Sequence, residues 1–333
     1  MNKPVAVIIL NWNGAKLLQE FLPSVYDNTN KEIADIIVAD NGSTDNSLDV
    51  LKNEFPHIKT IVFDQNYGFA EGYNRAIKAC KDYKYTVLLN SDVKCEKGWL
   101  EPLYNHCEAN PETAACQPKI LSYKEPEMFE YAGAAGGFID CLGYPYCRGR
   151  IFGTVEIDNT QYDTEPIDIM WATGAALFVR TDVYLSVGGL DAKFFAHMEE
   201  IDLCWRIHLA GHKIKAITSG KVYHLGGGSL PASNPRKTYL NFRNNLLLLH
   251  KNLPKSEGKR LLFIRRLYDT LAFFMFVAKF DFKNAKAVLN AHFDFKKMRK
   301  EYTTFPSKNL IGTLPGSKCN IIIDYYLKGR KTF

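Results

Sequence analysis

The first 120 residues alternate short apolar runs with helical patterns, and this order constrains the fold more than any other feature of the chain. Residues 5–10 are wholly apolar, as a strand buried on both faces must be. Residues 15–27 carry Leu17, Leu18, Phe21, Leu22 and Val25 at helical spacing. Residues 36–39 read as a second strand ending at Asp40, and Ser43 or Thr44 is placed to cap the helix that follows. Residues 60–63, 70–82 and 85–89 continue as strand, helix and strand. The βαβαβαβ order predicts an α/β fold: a mostly parallel sheet with helices on both faces.

Open parallel sheets bind ligands at the carboxyl ends of their strands. Three polar clusters fall at such ends: Asn11-Trp12-Asn13-Gly14, Asp40-Asn41-Gly42-Ser43 and Asn90-Ser91-Asp92. Each alone reads equally well as a turn or a helix cap. Together they mark a ligand site. No Gly-x-Gly-x-x-Gly follows the first strand and no Gly-x4-Gly-Lys-Ser/Thr occurs, so dehydrogenase and P-loop readings lose their support. Asp92 at a strand end suits a divalent metal bridging a diphosphate.

The rest of the chain divides by charge. Residues 236–333 hold 21 Lys/Arg and 6 Asp/Glu, while residues 1–235 hold 21 and 30. An acidic catalytic domain over 1–235 is therefore expected, with a donor half to about residue 120 and an acceptor half from 121 to 235. A basic, mainly helical region covers 236–333. Residues 123–168 lack periodicity and read as a long excursion over one sheet face. Residues 175–179 and 214–217 read as strands, and 199–210 as a helix. The eight cysteines show no metal spacing and read as reduced thiols of a cytosolic protein. The apolar run at the N-terminus reads as a strand, not a signal peptide.

Across residues 4–250 the motifs resemble bacterial family-2 glycosyltransferases, especially their rhamnosyltransferase-like branch. They are residues 7–13, 38–45, Asn66-Tyr67-Gly68-Phe69-Ala70 with Asn74, 88–93, 171–175, and 194–206 with Glu199-Glu200-Ile201-Asp202. The resemblance implies a glycosyltransferase A-type fold, a nucleoside-diphosphate-sugar donor of UDP or dTDP type, a divalent metal (Mn2+ or Mg2+) and inversion at the anomeric carbon. It implies that Asp40 meets the base or ribose, with Asn11, Asn41, Asn66 and Asn74 around the same pocket. Gly68 brings backbone close to the donor, and Asn90, Ser91 and Asp92 face its ribose and diphosphate. Asp92 and His224 are the implied metal ligands, with the glycines after His224 forming a mobile loop.

An inverting transfer also needs a base on the acceptor hydroxyl. Glu199, Glu200 and Asp202 supply three close carboxylates whose repulsion raises at least one pKa. They serve equally as acidic residues at a helix start, with Asp202 paired to Arg206. Glu200 is the favoured base, and Trp171, Gly174, Glu199 and Asp202 form the acceptor side; Trp171 serves equally as core. Relatives commonly show Glu-Asp at Glu199-Glu200 and Asp-x-Asp where this chain has Asn90. These departures keep open a non-catalytic nucleotide-sugar-binding or scaffold subunit of a polysaccharide assembly complex.

In residues 261–280 the longest uncharged stretch is nine residues, too short to cross a bilayer. With the basic excess, the C-terminal region reads either as an interfacial element on an anionic membrane or as helices packed on the body. Nucleic acid is not expected, because no recognition motif accompanies the charge. The expected enzyme sits on the cytoplasmic, inner face of the plasma membrane. It serves a lipid-linked or polysaccharide acceptor in cell-surface glycan synthesis.

Overall fold

The computed structural model describes residues 3–130, 133–226 and 234–333. The parallel core is β1 (Val5–Asn11), β2 (Ala34–Asp40), β3 (Lys59–Val62) and β4 (Tyr85–Asn90). Three helices connect them: α1 (Ala15–Asn28), α2 (Ser47–Glu54) and α3 (Gly68–Ala79). Alternate side chains of each strand enter opposite cores. Val5, Val7, Ile9, Val87 and Leu89 pack on the α1 side, and Ala6, Ile8, Ile37 and Leu88 on the α3 side. Each buried Val, Leu or Ile contributes about 1.5–3 kcal/mol, which holds the register against slippage.

The chain then adds β5 (Val93–Cys95), α4 (Glu101–Ala109) and the long β6 (Thr113–Ser122). β11 (Ile167–Asp168), β12 (Ala176–Arg180), α5 (Thr181–Ser186), α6 (Glu199–Leu209) and β13 (Lys213–His224) complete this half. Among the described residues the sheet order is β11-β13-β6-β12-β4-β1-β2-β3, with β5 paired to β13. β12 runs antiparallel between β4 and β6, so one reversed strand interrupts an otherwise parallel centre.

Two segments differ from expectation. Residues 123–168 are not a bare loop, because β7 (Gly137–Ile139), β8 (Pro145–Cys147), β9 (Arg150–Ile151) and β10 (Thr154–Val155) form a second small sheet. Two- and three-residue strands are too short for a period to show. The strand expected at 214–217 runs on to His224 after a register shift between Ile217 and Lys221, where Gly220 meets the Trp99 carbonyl too closely for a side chain.

The C-terminal chain forms α7 (Pro235–Asn252), α8 (Lys255–Ala278) and α9 (Phe282–Met298). α7 buries Leu240 and Leu246–Leu249 against the body. Arg265 of α8 is buried too: it donates to the Leu142 carbonyl at 3.2 Å and to Asn245, and lies 3.6 Å from the Tyr144 ring centroid. These helices are thus packed on the body, yet much of α8 and α9 stays exposed and apolar. No helix among the described residues is long and apolar enough to cross a membrane.

Candidate active site

Strand register brings the polar clusters to one edge. Asn11 pairs with Asp40, and Leu10 with Asn90, so three strands end at one level. Asn11 donates to Asp40 Oδ2 at 2.9 Å, and the Ser43 amide donates to Asp40 Oδ1 at 2.9 Å. Asp40 has 0% exposed surface, so here it braces two strand ends instead of facing the cleft as expected. Trp12, beside it, is 55% exposed and presents a free aromatic surface that sequence reasoning did not single out.

Asn41 organises the next loop. Its amide donates to Asn66 Oδ1 and the Gly68 carbonyl, both at 3.0 Å, and its oxygen accepts from the Tyr67 amide. Gly68 has φ +76° and open space where a side chain would stand, which keeps backbone accessible. Asn74 is elsewhere. It holds both the amide and carbonyl of Leu190 and accepts from the Tyr184 hydroxyl, so it clamps a turn and not the donor pocket.

β4 ends in Asn90, Ser91 and Asp92, and β5 pairs antiparallel with β13 so that Val93 faces His224. That pairing sets His224 Nε2 3.1 Å from Asp92 Oδ1 and 3.3 Å from Asn90 Nδ2. His224 Nδ1 lies 3.5 Å from Glu130 Oε2. Burial alone would lower the imidazole pKa; the two carboxylates outweigh it and push it up to about 10. The imidazolium here holds two carboxylates together.

The donor set fits a divalent cation. Asp92 and His224 Nε2 converge, and a cation replaces the proton shared between them. His224 Nδ1 is buried without a well-aligned acceptor, and Glu130 stands behind it as the carboxylate that fixes the metal-binding tautomer. Among the described residues no three His, Cys, Asp or Glu side chains converge on one ion. Gly227, Gly228 and Ser229 of the expected mobile loop lie outside the described residues.

The opposite wall is Gly174 and the start of α6. A Cβ at Gly174 would stand 3.6 Å from Phe69 and 3.7 Å from the Glu200 Cβ, so this glycine lies beside both the donor loop and the carboxylates. Glu199 is buried, with Oε2 unpartnered, and burial and its neighbour Glu200 raise its pKa to about 8. Glu200 is partly exposed, and desolvation raises its pKa to about 7. A carboxyl that ionises near neutrality is suited to accept a hydroxyl proton.

The turn that aims them is strained: Phe195, His197 and Met198 all have φ between 68° and 74°. Asn244 of α7 holds it by donating to the carbonyls of Phe194, Ala196 and His197 at 2.7–2.9 Å. Nothing in the sequence marked Asn244, which lies 44 positions after Glu200. Two expected acceptor residues are placed in the interior. Asp202 is fully buried, bound by Arg206, Lys251 and Asn252. Trp171 is 4% exposed and donates to the Phe138 carbonyl, leaving no open ring face for a sugar.

Comparison with known proteins agrees with this architecture. The family model for glycosyl transferase family 2 matches residues 6–166. The chain is 24% identical over 241 residues to the N-acetylglucosaminyl-diphospho-decaprenol L-rhamnosyltransferase of Mycobacterium tuberculosis, covering 67% of this chain and 76% of that one. A crystal structure of GalNAc-T7 with UDP, GalNAc and Mn2+ superposes with a TM-score of 0.60 at 16% identity, covering 77% of this chain but only 49% of that one. S. aureus TarS 1-349 gives 0.56 at 17% identity, covering 88% and 80%. Both likenesses are of fold, and that fold is the glycosyltransferase A type. With its six ordered motifs and its strand-end site, the chain carries a glycosyl transferase family 2 domain over residues 6–166 and resembles the rhamnosyltransferase-like branch of that family.

Proposed function

We propose that the protein moves one sugar, with inversion, from a nucleoside-diphosphate-sugar of UDP or dTDP type to a hydroxyl of a lipid-linked or polysaccharide acceptor. The observation that carries this is the placing of Glu200, partly exposed, next to Gly174 and the Phe69 loop. The nucleoside lies along the Asn11–Asp40 edge with Trp12 as its stacking surface, and Asn66 and Gly68 border it. Asn90, Ser91 and Asp92 face the ribose and diphosphate. A divalent metal held by Asp92 and His224 supplies charge neutralisation to the leaving diphosphate.

Glu200 takes the proton of the acceptor hydroxyl as that oxygen bonds to the anomeric carbon. The bond from that carbon to the diphosphate oxygen breaks on the opposite face, which inverts the centre. Glu199 stays neutral beside Glu200 and keeps the local field from favouring a second charge. The relative acting on N-acetylglucosaminyl-diphospho-decaprenol supports a lipid-linked acceptor. The basic C-terminal region supports work at the cytoplasmic face of a membrane, in cell-surface glycan synthesis.

Glu200→Gln tests the reading. Radiolabelled donor incubated with a membrane lipid extract yields labelled lipid with the native protein, and at least about 100-fold less with the variant at unchanged nucleotide affinity. Equal product from both excludes Glu200 as base.

A further inference from the structure

The C-terminal helices carry a feature that the catalytic reading does not use. A cavity of about 340 Å³ opens between the end of α7, the first half of α8 and the end of α9. Lys255, Lys259, Arg266 and Arg299 line it, together with His250 and His292, and no carboxylate does. None of the four cations forms an ion pair among the described residues, whereas Lys251, Arg265, Lys297 and Lys328 of the same region each do. Lys255 and Arg299 lie instead over the rings of Phe305 and Phe295, at 5.8 and 5.7 Å. Four unpaired positive charges around one concave, partly apolar space repel one another. They persist together where an anion offsets them.

The cavity does not end there. Arg266, His292, Phe295 and Arg299 also line a groove of about 680 Å³ between α8 and α9. Its walls include Phe273, Phe274, Leu289 and Phe293, with the buried Asp269 paired to His292 at 3.0 Å, and Phe274 and Phe293 are 59% and 65% exposed. An apolar ridge continues along α8 through Phe263, Leu267 and Leu271, each about one helical turn from the next, and Phe280 and Phe282 cap the hairpin tip. Exposed apolar surface of this extent marks an interaction site. A cationic cup joined to an aliphatic and aromatic channel has the polarity sequence of an amphiphile: phosphate head, then hydrocarbon tail.

We propose that this cavity and groove form a binding site for an anionic membrane lipid, whose phosphate sits among Lys255, Lys259, Arg266 and Arg299 and whose chain lies along the α8–α9 groove. The ridge then rests in the interfacial layer, and the hairpin seats the enzyme on the leaflet. The site stands on its own geometry. It rests on the proposed function only for the reason that an enzyme of this kind meets lipid. Charge decides between a membrane and a second copy of the chain: two identical basic faces repel, whereas each Lys or Arg near an anionic surface strengthens binding about fivefold.

Cosedimentation of the full chain with vesicles tests this without any nucleotide. Vesicles of phosphatidylcholine alone are compared with equal parts phosphatidylcholine and phosphatidylglycerol. The native protein is expected to bind the anionic vesicles at least about 30-fold more tightly. Joint Lys255→Gln, Lys259→Gln, Arg266→Gln and Arg299→Gln substitution removes that preference. Joint Lys31→Gln, Lys52→Gln, Lys78→Gln and Lys81→Gln substitution, which removes the same charge elsewhere, retains most of it. Phe274→Ser with Phe293→Ser weakens binding to both kinds of vesicle.

Equal loss in the two charge variants overturns the site and leaves a diffuse electrostatic effect. Stabilisation of the native protein by inorganic phosphate, absent in the cavity variant and unaccompanied by vesicle binding, also overturns it, in favour of a free-anion site. Self-association in solution that Phe274→Ser abolishes, again without vesicle binding, assigns the face to a second copy. Failure of donor turnover with vesicle binding intact refutes the catalytic reading alone.

Discussion

His224 Nε2 stands 3.1 Å from Asp92 Oδ1, and this contact ties the end of the last long strand to the end of β4. It exists because β5 folds back to pair with β13, setting Val93 opposite His224. Asp92→Asn removes the anionic ligand of the proposed cation site and the carboxylate beside His224. We expect manganese-dependent turnover to fall at least about 100-fold, read by product formation across a manganese titration. His224→Gln is expected to weaken the apparent manganese affinity about 10- to 100-fold. Turnover that is equal with and without chelator in the native protein contradicts the metal assignment.

A pH dependence of the reaction follows from the proposal that Glu200 is the base. Burial raises its pKa to about 7, and the base must be ionised. The transfer rate is therefore expected to rise as pH passes upward through about 7, and the rise is lost in Glu200→Gln. Initial rates across a pH series at saturating donor provide the check.

Glu199 makes a separate prediction about stability. Its carboxyl titrates near 8 when folded, raised from 4.5 by burial and by Glu200. A raised value means that the folded state binds the proton more tightly than the unfolded state does. The stabilisation is full below about pH 4.5 and is lost as pH rises through about 8. Glu199→Gln, which cannot ionise, is expected to flatten the decline in Tm over this window and to exceed the native Tm at alkaline pH.

Asn244 offers a test of how the carboxylates are aimed. Its side-chain amide donates to three carbonyls of the strained turn before α6, sharing that of Phe194 with Arg243. Asn244→Ala is expected to cost about 2–3 kcal/mol of stability by denaturant unfolding and to lower kcat more than donor KM. A variant with native kcat would show that the turn holds its shape without α7.

Asp202 is expected to behave as a structural group. Its buried carboxylate joins Arg206, Lys251 and Asn252, so Asp202→Ala strips Arg206 of its carboxylate, leaves Lys251 with Asp191 alone and costs about 3–5 kcal/mol. Thermal unfolding reads this directly. An acceptor-binding role would instead raise acceptor KM with Tm unchanged.

The parallel core was legible because its signals are local. Wholly apolar strands, helical spacing in α1 and polar residues at strand ends all lie within a few positions of one another. The same locality hid other parts. Trp171 and Asp202 read as acceptor groups because nothing nearby reveals Phe138 or Lys251, which occupy them from 33 and 49 positions away. Glu130 behind His224, and Asn244 behind Glu199 and Glu200, act through tertiary contacts that leave no periodic trace. The second small sheet escaped because its strands are two or three residues long. Asp40 was correctly placed at the sheet edge, but its side chain turns inward to Asn11 and Ser43, a choice set by register that composition does not reveal.

A nucleoside-diphosphate-sugar site at this sheet edge is tested by nucleotide binding. Thermal unfolding of the full chain would be followed with UDP, dTDP, GDP or ADP, each with manganese or with chelator. Stabilisation by UDP or dTDP that needs manganese is expected, reaching about 4 kcal/mol at roughly 1,000 times the dissociation constant, with its loss in Asp92→Asn. No shift with any nucleotide, or an equal shift with all four in chelator, would contradict a nucleoside-diphosphate-sugar site at this sheet edge.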